Sequence, residues 1–312
     1  MIISGGKAME TIIICVIFIL IISIIIYTSY HFSNVVTKPI TMTSEETYKR
    51  ELENNNIQKD KWEKLYKEEV TIKSPYGYDI HGLYFPQSNS NKAIIFSHGI
   101  TWSLFGSVKY MDMFLKRGFS VFIYDHRNHG KSGGSDTSFG FYEKYDLKAC
   151  ADWLFNKIGK NTSIGVHGES MGAATVLQYA AIDSRIKFCI EDCGYSDAVQ
   201  LFKHRLLREY KIKWFPIVKL ASIMTKIRFG WKFQEVSPIK GLSSLDLPIL
   251  FIHGDKDDYV PTHMCLDMYN AKKGVKYKYI ASNSGHAQSY VNNKVEYEEK
   301  VNKFLKDINI IE

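Results

Sequence analysis

A chain of 312 residues, 45% hydrophobic and 23% charged, is long enough for one sizeable α/β domain plus an appendage, and its composition excludes a disordered protein. The formal charge of +7 asks for a basic patch, but the basic residues gather in no tail and match no nucleic-acid motif, so nucleic acid is not an expected partner. Five cysteines (Cys15, Cys150, Cys189, Cys193 and Cys265), odd in number and without framework or C-x-x-C spacing, argue against a disulfide scaffold and against structural zinc.

The first element is an isoleucine-rich run, Thr11 to Tyr30, that carries no charge. Its length of about twenty residues is what a helix needs to cross the hydrocarbon of a bilayer. It ends in Tyr27, Tyr30, His31 and Phe32, an aromatic interface signature. A cleaved signal peptide has a shorter apolar core and a small-residue cleavage site, and Cys15 lacks the small neighbours of a lipid-modified cysteine. Residues 1–32 are therefore expected to form a single-pass signal anchor in the cell membrane. The large domain is expected on the extracytoplasmic side, although Lys38 competes with Lys7 in setting the orientation. Residues 33–66 are polar and read as a tether, with helical potential at Ser44–Leu52 and Lys59–Tyr66.

Residues 67–312 alternate strand and helix patterns. Glu68–Lys73 and Ile80–Phe85 flank Ser74-Pro75-Tyr76-Gly77 as a hairpin. Strands are expected at Lys92–Phe96, Ser120–Tyr124, Ser163–His167, Phe188–Asp192, Pro248–His253 and Lys276–Ile280. Helices are expected at Val108–Lys116, Tyr142–Ile158, Ala173–Ala181 and Val291–Ile308. This alternation predicts an α/β fold, a mostly parallel central sheet with helices on both faces. It is interrupted at about 195–240 by an aromatic, basic insertion. From Asp197 to Lys240 there are ten Lys or Arg against three Asp or Glu, so the chain's whole positive excess lies there.

One stretch carries chemistry by itself. In Gly168-Glu169-Ser170-Met171-Gly172 a serine sits between small residues at a strand-to-helix junction. Such a turn strains the backbone and lifts the hydroxyl onto a helix start, where free N–H groups favour a developing oxyanion. A serine needs a base, and the base needs a carboxylate to fix its tautomer.

Three further motifs lie at strand ends: His98-Gly99; Asp125-x-Arg127-x-His129-Gly130-x-Ser132, with Asn128 inside it; and His253-Gly254-x-x-Asp257-x-x-Val260-Pro261 with Gly285-His286 after the last strand. With the elbow they resemble the α/β-hydrolase superfamily, from about Glu68 to Phe304, and within it the serine hydrolases that include small bacterial esterases and acylglycerol lipases. In the second motif Asn128 stands where the family usually has glycine. The resemblance implies an α/β-hydrolase fold with a helical cap at the insertion and the triad order Ser170, Asp257, His286. It also implies an oxyanion hole from the backbone N–H groups of Met171 and Ile100. Asp255, Asp258 and Asp192 are rivals for the acid. Asp125 with His126 and His129 is an alternative metal cluster, against which the lack of further ligands at metal spacing counts.

The expected function is hydrolysis of a carboxylic ester, with an acyl lipid as one candidate substrate, through an acyl-enzyme on Ser170. This chemistry calls for no metal or organic cofactor, and no obligate protein partner is inferred. An amidase or peptidase using the same triad is the second reading; the prolyl-oligopeptidase type has a large propeller that this N-terminus is too short to supply. A non-catalytic binding protein on the same fold is the third. The cap's aromatics are read either as packing onto the sheet or as an apolar face for an acyl chain, with its cations toward anionic headgroups.

Overall fold

The computed structural model describes residues 3–88 and 90–312. Helix α1 (Ile3–Thr37) is one unbroken rod. Its side chains from Ile12 to Ile26 are exposed, whereas Ser29, Ser33 and Thr37, one turn apart, are buried against the domain. The stretch read as a tether is helical for much of its length. It contains α2 (Ser44–Glu53) and α3 (Lys59–Lys64). Thr43 starts α2 with a capping box, accepting from the Glu46 N–H at 3.1 Å while its own N–H donates to the Glu46 carboxylate at 2.8 Å. The segment is also docked. The Met42 N–H donates to the Thr101 carbonyl (2.8 Å) and the Thr137 N–H to the Thr37 carbonyl (2.8 Å). Its polar residues therefore face protein as well as water, and Thr47, Glu51 and Ile57 are buried.

Among the described residues, eight strands build the sheet: β1 (Glu68–Lys73), β2 (Asp79–Phe85), β3 (Lys92–Ser97), β4 (Ser120–Tyr124), β5 (Ser163–Glu169), β6 (Phe188–Asp192), β7 (Ile249–Gly254) and β8 (Lys276–Ala281). Their spatial order is β1-β2-β4-β3-β5-β6-β7-β8. The β1–β2 hairpin and the β2–β4 pair are antiparallel, and the other pairs are parallel. Helices α4 (Val108–Leu115), α5 (Glu143–Ile158) and α6 (Met171–Ala180) follow β3, β4 and β5. The insertion after β6 holds α7 (Ala198–Tyr210) and α8 (Pro216–Phe229). Then come α9 (His263–Ala271), the short α10 (Ser289–Asn292) and the closing α11 (Lys294–Asp307).

Strand side chains alternate between two faces, and both faces are apolar because helices cover both. On β3, Ala93 and Ile95 join α5, α6 and α9 through Leu147, Leu154, Val176 and Cys265. Ile94 and Phe96 join α4 and α11 through Met113, Phe114, Val301 and Phe304. A third core belongs to the insertion, where Trp231, Phe233, Leu201 and Ile217 pack with Met171 at the start of α6 and Val260 of the loop after β7. Phe32 and Val36 of α1 join the same cluster. The cap core thus touches the site on one side and the N-terminal helix on the other.

Candidate active site

The sharp turn at the end of β5 is enforced by its glycines. Ser170 adopts φ 56°, ψ −116°, a conformation side chains avoid. A Cβ at Gly168 would lie 2.3 Å from the Gly172 carbonyl oxygen, and one at Gly172 would lie 1.9 Å from that of Ser97. Both contacts are with backbone, which cannot swing aside, so each position admits glycine alone. The Ser170 N–H is held by the Asp192 carbonyl at 2.8 Å.

The structure brings Ser170, His286 and Asp257 into one line. Ser170 Oγ lies 2.8 Å from His286 Nε2. His286 Nδ1 lies 2.7 Å from Asp257 Oδ2. With Nδ1–H donating to the carboxylate, Nε2 is left to accept the serine proton. Asp257 is buried, and its other oxygen accepts the Tyr259 and Val260 N–H groups at 3.0 and 2.9 Å. Burial opposes its ionisation, but hydrogen bonds from His253 (3.1 Å) and His286 outweigh that and hold the carboxyl well below its ordinary range. His253 thereby supports the Asp257 carboxylate, with Nε2 also donating to the Val260 carbonyl at 2.8 Å.

The rival acids lie elsewhere. Asp255 accepts the Ser284 N–H at 3.1 Å and braces the loop that carries His286. Asp258 is exposed and pairs with Arg208 of the cap. Asp192 faces Tyr110, whose hydroxyl donates to it at 3.3 Å, and burial pushes its carboxyl up to about 6. Behind the elbow, Glu169 accepts from Lys109 Nζ at 2.6 Å and from the Tyr110 hydroxyl at 2.5 Å. Glu169, the residue before Ser170, is thus fixed by a buried ion pair.

Of the two expected oxyanion donors, Met171 adjoins Ser170 in the chain, and Ile100 lies in the loop whose Gly99 packs against Ser170. Met171 is the first residue of α6, so its N–H has no carbonyl one turn earlier in the helix. Ile100 follows Gly99, where a Cβ would sit 3.6 Å from Ser170 Cβ. The Ile100 loop is shaped from two sides. The Thr101 N–H donates to His129 Nε2 (3.2 Å), and the Met42 N–H to the Thr101 carbonyl.

The alternative metal cluster is a hydrogen-bonded loop. Asp125 accepts the Leu104 and Lys131 N–H groups at 2.7 and 2.9 Å. His126 bonds Ser97 Oγ at 2.9 Å, and His98 accepts the His126 N–H at 3.0 Å. Burial lowers the pKa of all three histidines, that of His98 to about 4, and holds them neutral. Asn128, standing where the resemblance has glycine, takes φ 60°, which asparagine tolerates better than most residues.

Three neighbours of the site left no mark in the sequence. The Tyr259 ring stacks on His286 with centroids 4.7 Å apart, and the Arg205 guanidinium of the cap lies 3.3 Å from the centre of that ring. Arg205 also pairs with Glu209 and lines an apolar cavity of about 70 Å³ between α1 and the cap. Cys193 brings its sulfur within 4.8 Å of the ligand-type atoms of Asp257 and His286. Those atoms are spent on each other, and burial pushes the Cys193 thiol well above its ordinary range, so the trio is a poor metal cradle. The partners of Tyr259 and Arg205 depend on how the acid loop and the cap fold, which no local motif records.

The sequence pattern of the X-Pro dipeptidyl-peptidase (S15) family matches residues 24–228, which include the elbow. The chain belongs to that family. As a member of the S15 family it is a hydrolase of the α/β-hydrolase superfamily. It is 40% identical over 269 residues to the uncharacterised protein YqkD of Bacillus subtilis, covering 86% of this chain and 88% of that one. It is 31% identical over 150 residues to the thiohydrolase aneE of Aspergillus aculeatus, covering 45% of each chain. An esterase from Pyrococcus furiosus has the same fold, with a TM-score of 0.66 and 24% identity over 80% of this chain and 94% of that one.

Proposed function

We propose that this S15-family chain is a membrane-anchored serine hydrolase that cleaves a carboxylic ester. The observation that carries the reading is the continuous relay from Ser170 Oγ through His286 to Asp257. His286 Nε2 takes the hydroxyl proton as Ser170 Oγ attacks the ester carbonyl. The N–H groups of Met171 and Ile100 receive the oxyanion. Collapse expels the alkoxide, which leaves as the alcohol with the proton from His286. Water then attacks the acyl-enzyme, losing its proton to His286, which passes it to Ser170 Oγ as that bond breaks and the acid departs. Asp257 stays ionised throughout and stabilises the imidazolium.

The family match favours a second reading, cleavage of a peptide bond near an amino terminus. An exopeptidase of that kind must hold a protonated amine. The charged side chain over the Tyr259–His286 stack is the cation Arg205, which suits a neutral or anionic substrate better. Helix α1 is long and apolar enough to cross a membrane. The proposal takes it as the anchor, with the domain on the extracytoplasmic side; protease digestion of intact cells checks this, and a domain cut only after lysis opposes it.

The test of activity is a screen of the full-length protein in detergent against p-nitrophenyl esters of graded chain length and X-Pro p-nitroanilides, beside fluorophosphonate labelling. Ser170→Ala is expected to remove labelling and lower turnover by several orders of magnitude while the protein stays folded. Turnover unchanged in Ser170→Ala refutes the proposal, and preference for the anilides replaces it with the peptidase reading.

A further inference from the structure

The anchor helix and the cap meet at one level along α1. At 1.5 Å per residue, the uncharged run Thr11–Tyr30 measures about 30 Å, the thickness of a hydrocarbon core. Contact with the domain begins in the last turn of that run, where Ser29 is buried. The Arg228 guanidinium at the end of α8 lies 4.2 Å from the Tyr30 ring centre, and the Tyr210 ring at the end of α7 lies 5.1 Å from that of Phe32. Arg228 also donates to Ser33 Oγ (3.1 Å) and Asn34 Oδ1 (2.7 Å), and Ser33 shares a hydrogen bond with Thr225 at 3.0 Å. From Lys7 to Thr37 α1 has neither proline nor glycine, so no sequence hinge separates the apolar run from these contacts. Where α1 leaves the hydrocarbon, the cap stands beside it.

The cap also exposes apolar side chains. Trp214 is 53% exposed, and Ile223 and Ile227, one turn apart on α8, are 45% and 75% exposed. The inward face of α8 is different: Val218, Ala221 and Thr225 are buried. Lys211, Lys213 and Lys219 are exposed beside the apolar residues. An apolar stripe with a tryptophan and interleaved lysines suits a headgroup boundary, where rings and aliphatic chains enter the acyl edge and ammonium groups meet lipid phosphates.

We propose that this cap edge is a membrane-docking surface. Trp214, Ile223 and Ile227 enter the boundary of the bilayer that α1 crosses, and Lys211, Lys213 and Lys219 face its anionic headgroups. The proposal rests on reading α1 as the anchor. The charge fits an anionic surface, and α8, which carries Ile223 and Ile227, packs on α1 through Thr225 and Arg228. Docking fixes the domain's orientation and holds the α1–cap cavity, whose wall includes Arg205, close to the lipid.

The test uses the full-length protein reconstituted in vesicles of phosphatidylcholine and phosphatidylglycerol, with and without bromine on the acyl chains near the headgroup. Flotation of the vesicles reports the anchor, and bromine quenching of tryptophan fluorescence reports the cap. Quenching is expected in the wild type and is expected to be largely lost in Trp214→Phe, a conservative change at a half-exposed site; near-UV circular dichroism checks its fold. Vesicles without phosphatidylglycerol are expected to give weaker quenching. Protein that floats without quenching, or that is quenched equally with and without Trp214, overturns the docking surface and leaves the anchor standing. Protein that does not float overturns both.

Discussion

Replacing Asp257 by Asn tests the relay at the point where the structure gives the most definite answer. The carboxylate is surrounded by donors: two backbone N–H groups on one oxygen, at 3.0 and 2.9 Å, and His286 and His253 on the other, at 2.7 and 3.1 Å. Asparagine offers one oxygen and one NH₂ group. If the oxygen turns to His286, the NH₂ faces the Tyr259 and Val260 N–H groups and orphans two donors. At roughly 1–3 kcal/mol for each unsatisfied buried group, that costs on the order of 2–6 kcal/mol. The other orientation keeps the backbone pair and turns NH₂ toward His286. The ring then changes tautomer, with Nδ1 accepting and Nε2–H aimed at Ser170, and it cannot take the serine proton. The second arrangement is cheaper for folding and fatal for catalysis. The expected fall in kcat is on the order of 10⁴, about 5.4 kcal/mol of barrier, with the fold retained. The assay is steady-state hydrolysis of p-nitrophenyl butyrate by full-length protein in detergent, with circular dichroism as the check on folding and Asp192→Asn as the comparison. A fall of less than about tenfold in folded Asp257→Asn contradicts the tautomer argument. A larger loss in Asp192→Asn gives the acid's role to that residue instead.

Two further variants probe the buried charges around the elbow. Lys109→Met strips Glu169 of its ion-pair partner, and breaking a buried pair is expected to cost about 3–5 kcal/mol. The measure is the midpoint of thermal unfolding, which Lys109→Met with Glu169→Gln should partly restore; an unchanged midpoint in the single variant refutes a structural role for the pair. Glu191 is fully buried, and burial pushes its carboxyl up to about 8. The folded state therefore keeps a proton that the unfolded chain releases from about pH 4.5 upward, so stability falls as pH rises through that window and levels off above about pH 8. Glu191→Gln is expected to flatten the decline in melting temperature between about pH 5 and pH 8. The remaining slope belongs partly to Asp192, whose carboxyl is raised to about 6. An equal slope in wild type and variant would falsify this account of Glu191.

Local order in the sequence determined much of the scaffold around Ser170. Strands such as Ser120–Tyr124 and Phe188–Asp192 are apolar runs bounded by turn residues, and they need no distant partner to be recognised. Gly168 and Gly172 are legible for the same reason: the steric demand of the elbow is met within five residues, apart from the Ser97 carbonyl. The positions of Ser170, Asp257 and His286 at strand ends follow from motif and order. That Asp257 rather than Asp255, Asp258 or Asp192 faces His286 was decided only when two loops folded against each other. Periodicity did not resolve the cap into α7 and α8, because their aromatics point to several neighbours at once.

The stretch from 33 to 66 shows the same limit more sharply. Its composition is that of a linker, yet Ser33, Thr37 and Thr47 are buried and Glu51 is enclosed, its carboxyl pushed up to about 6 by burial that Lys109 partly offsets. Small hydroxyl residues look like solvent-facing ones in a sequence, and only a partner such as Thr225 or Arg228 reveals which are packed. The chain alone fixed a serine poised on a strained turn, a strand–helix alternation and an apolar N-terminal helix, because each depends on neighbours within a few residues. Tertiary structure decided which aspartate meets His286, what covers Tyr259 and where the N-terminal helix meets the cap, because those contacts join residues tens to hundreds of positions apart.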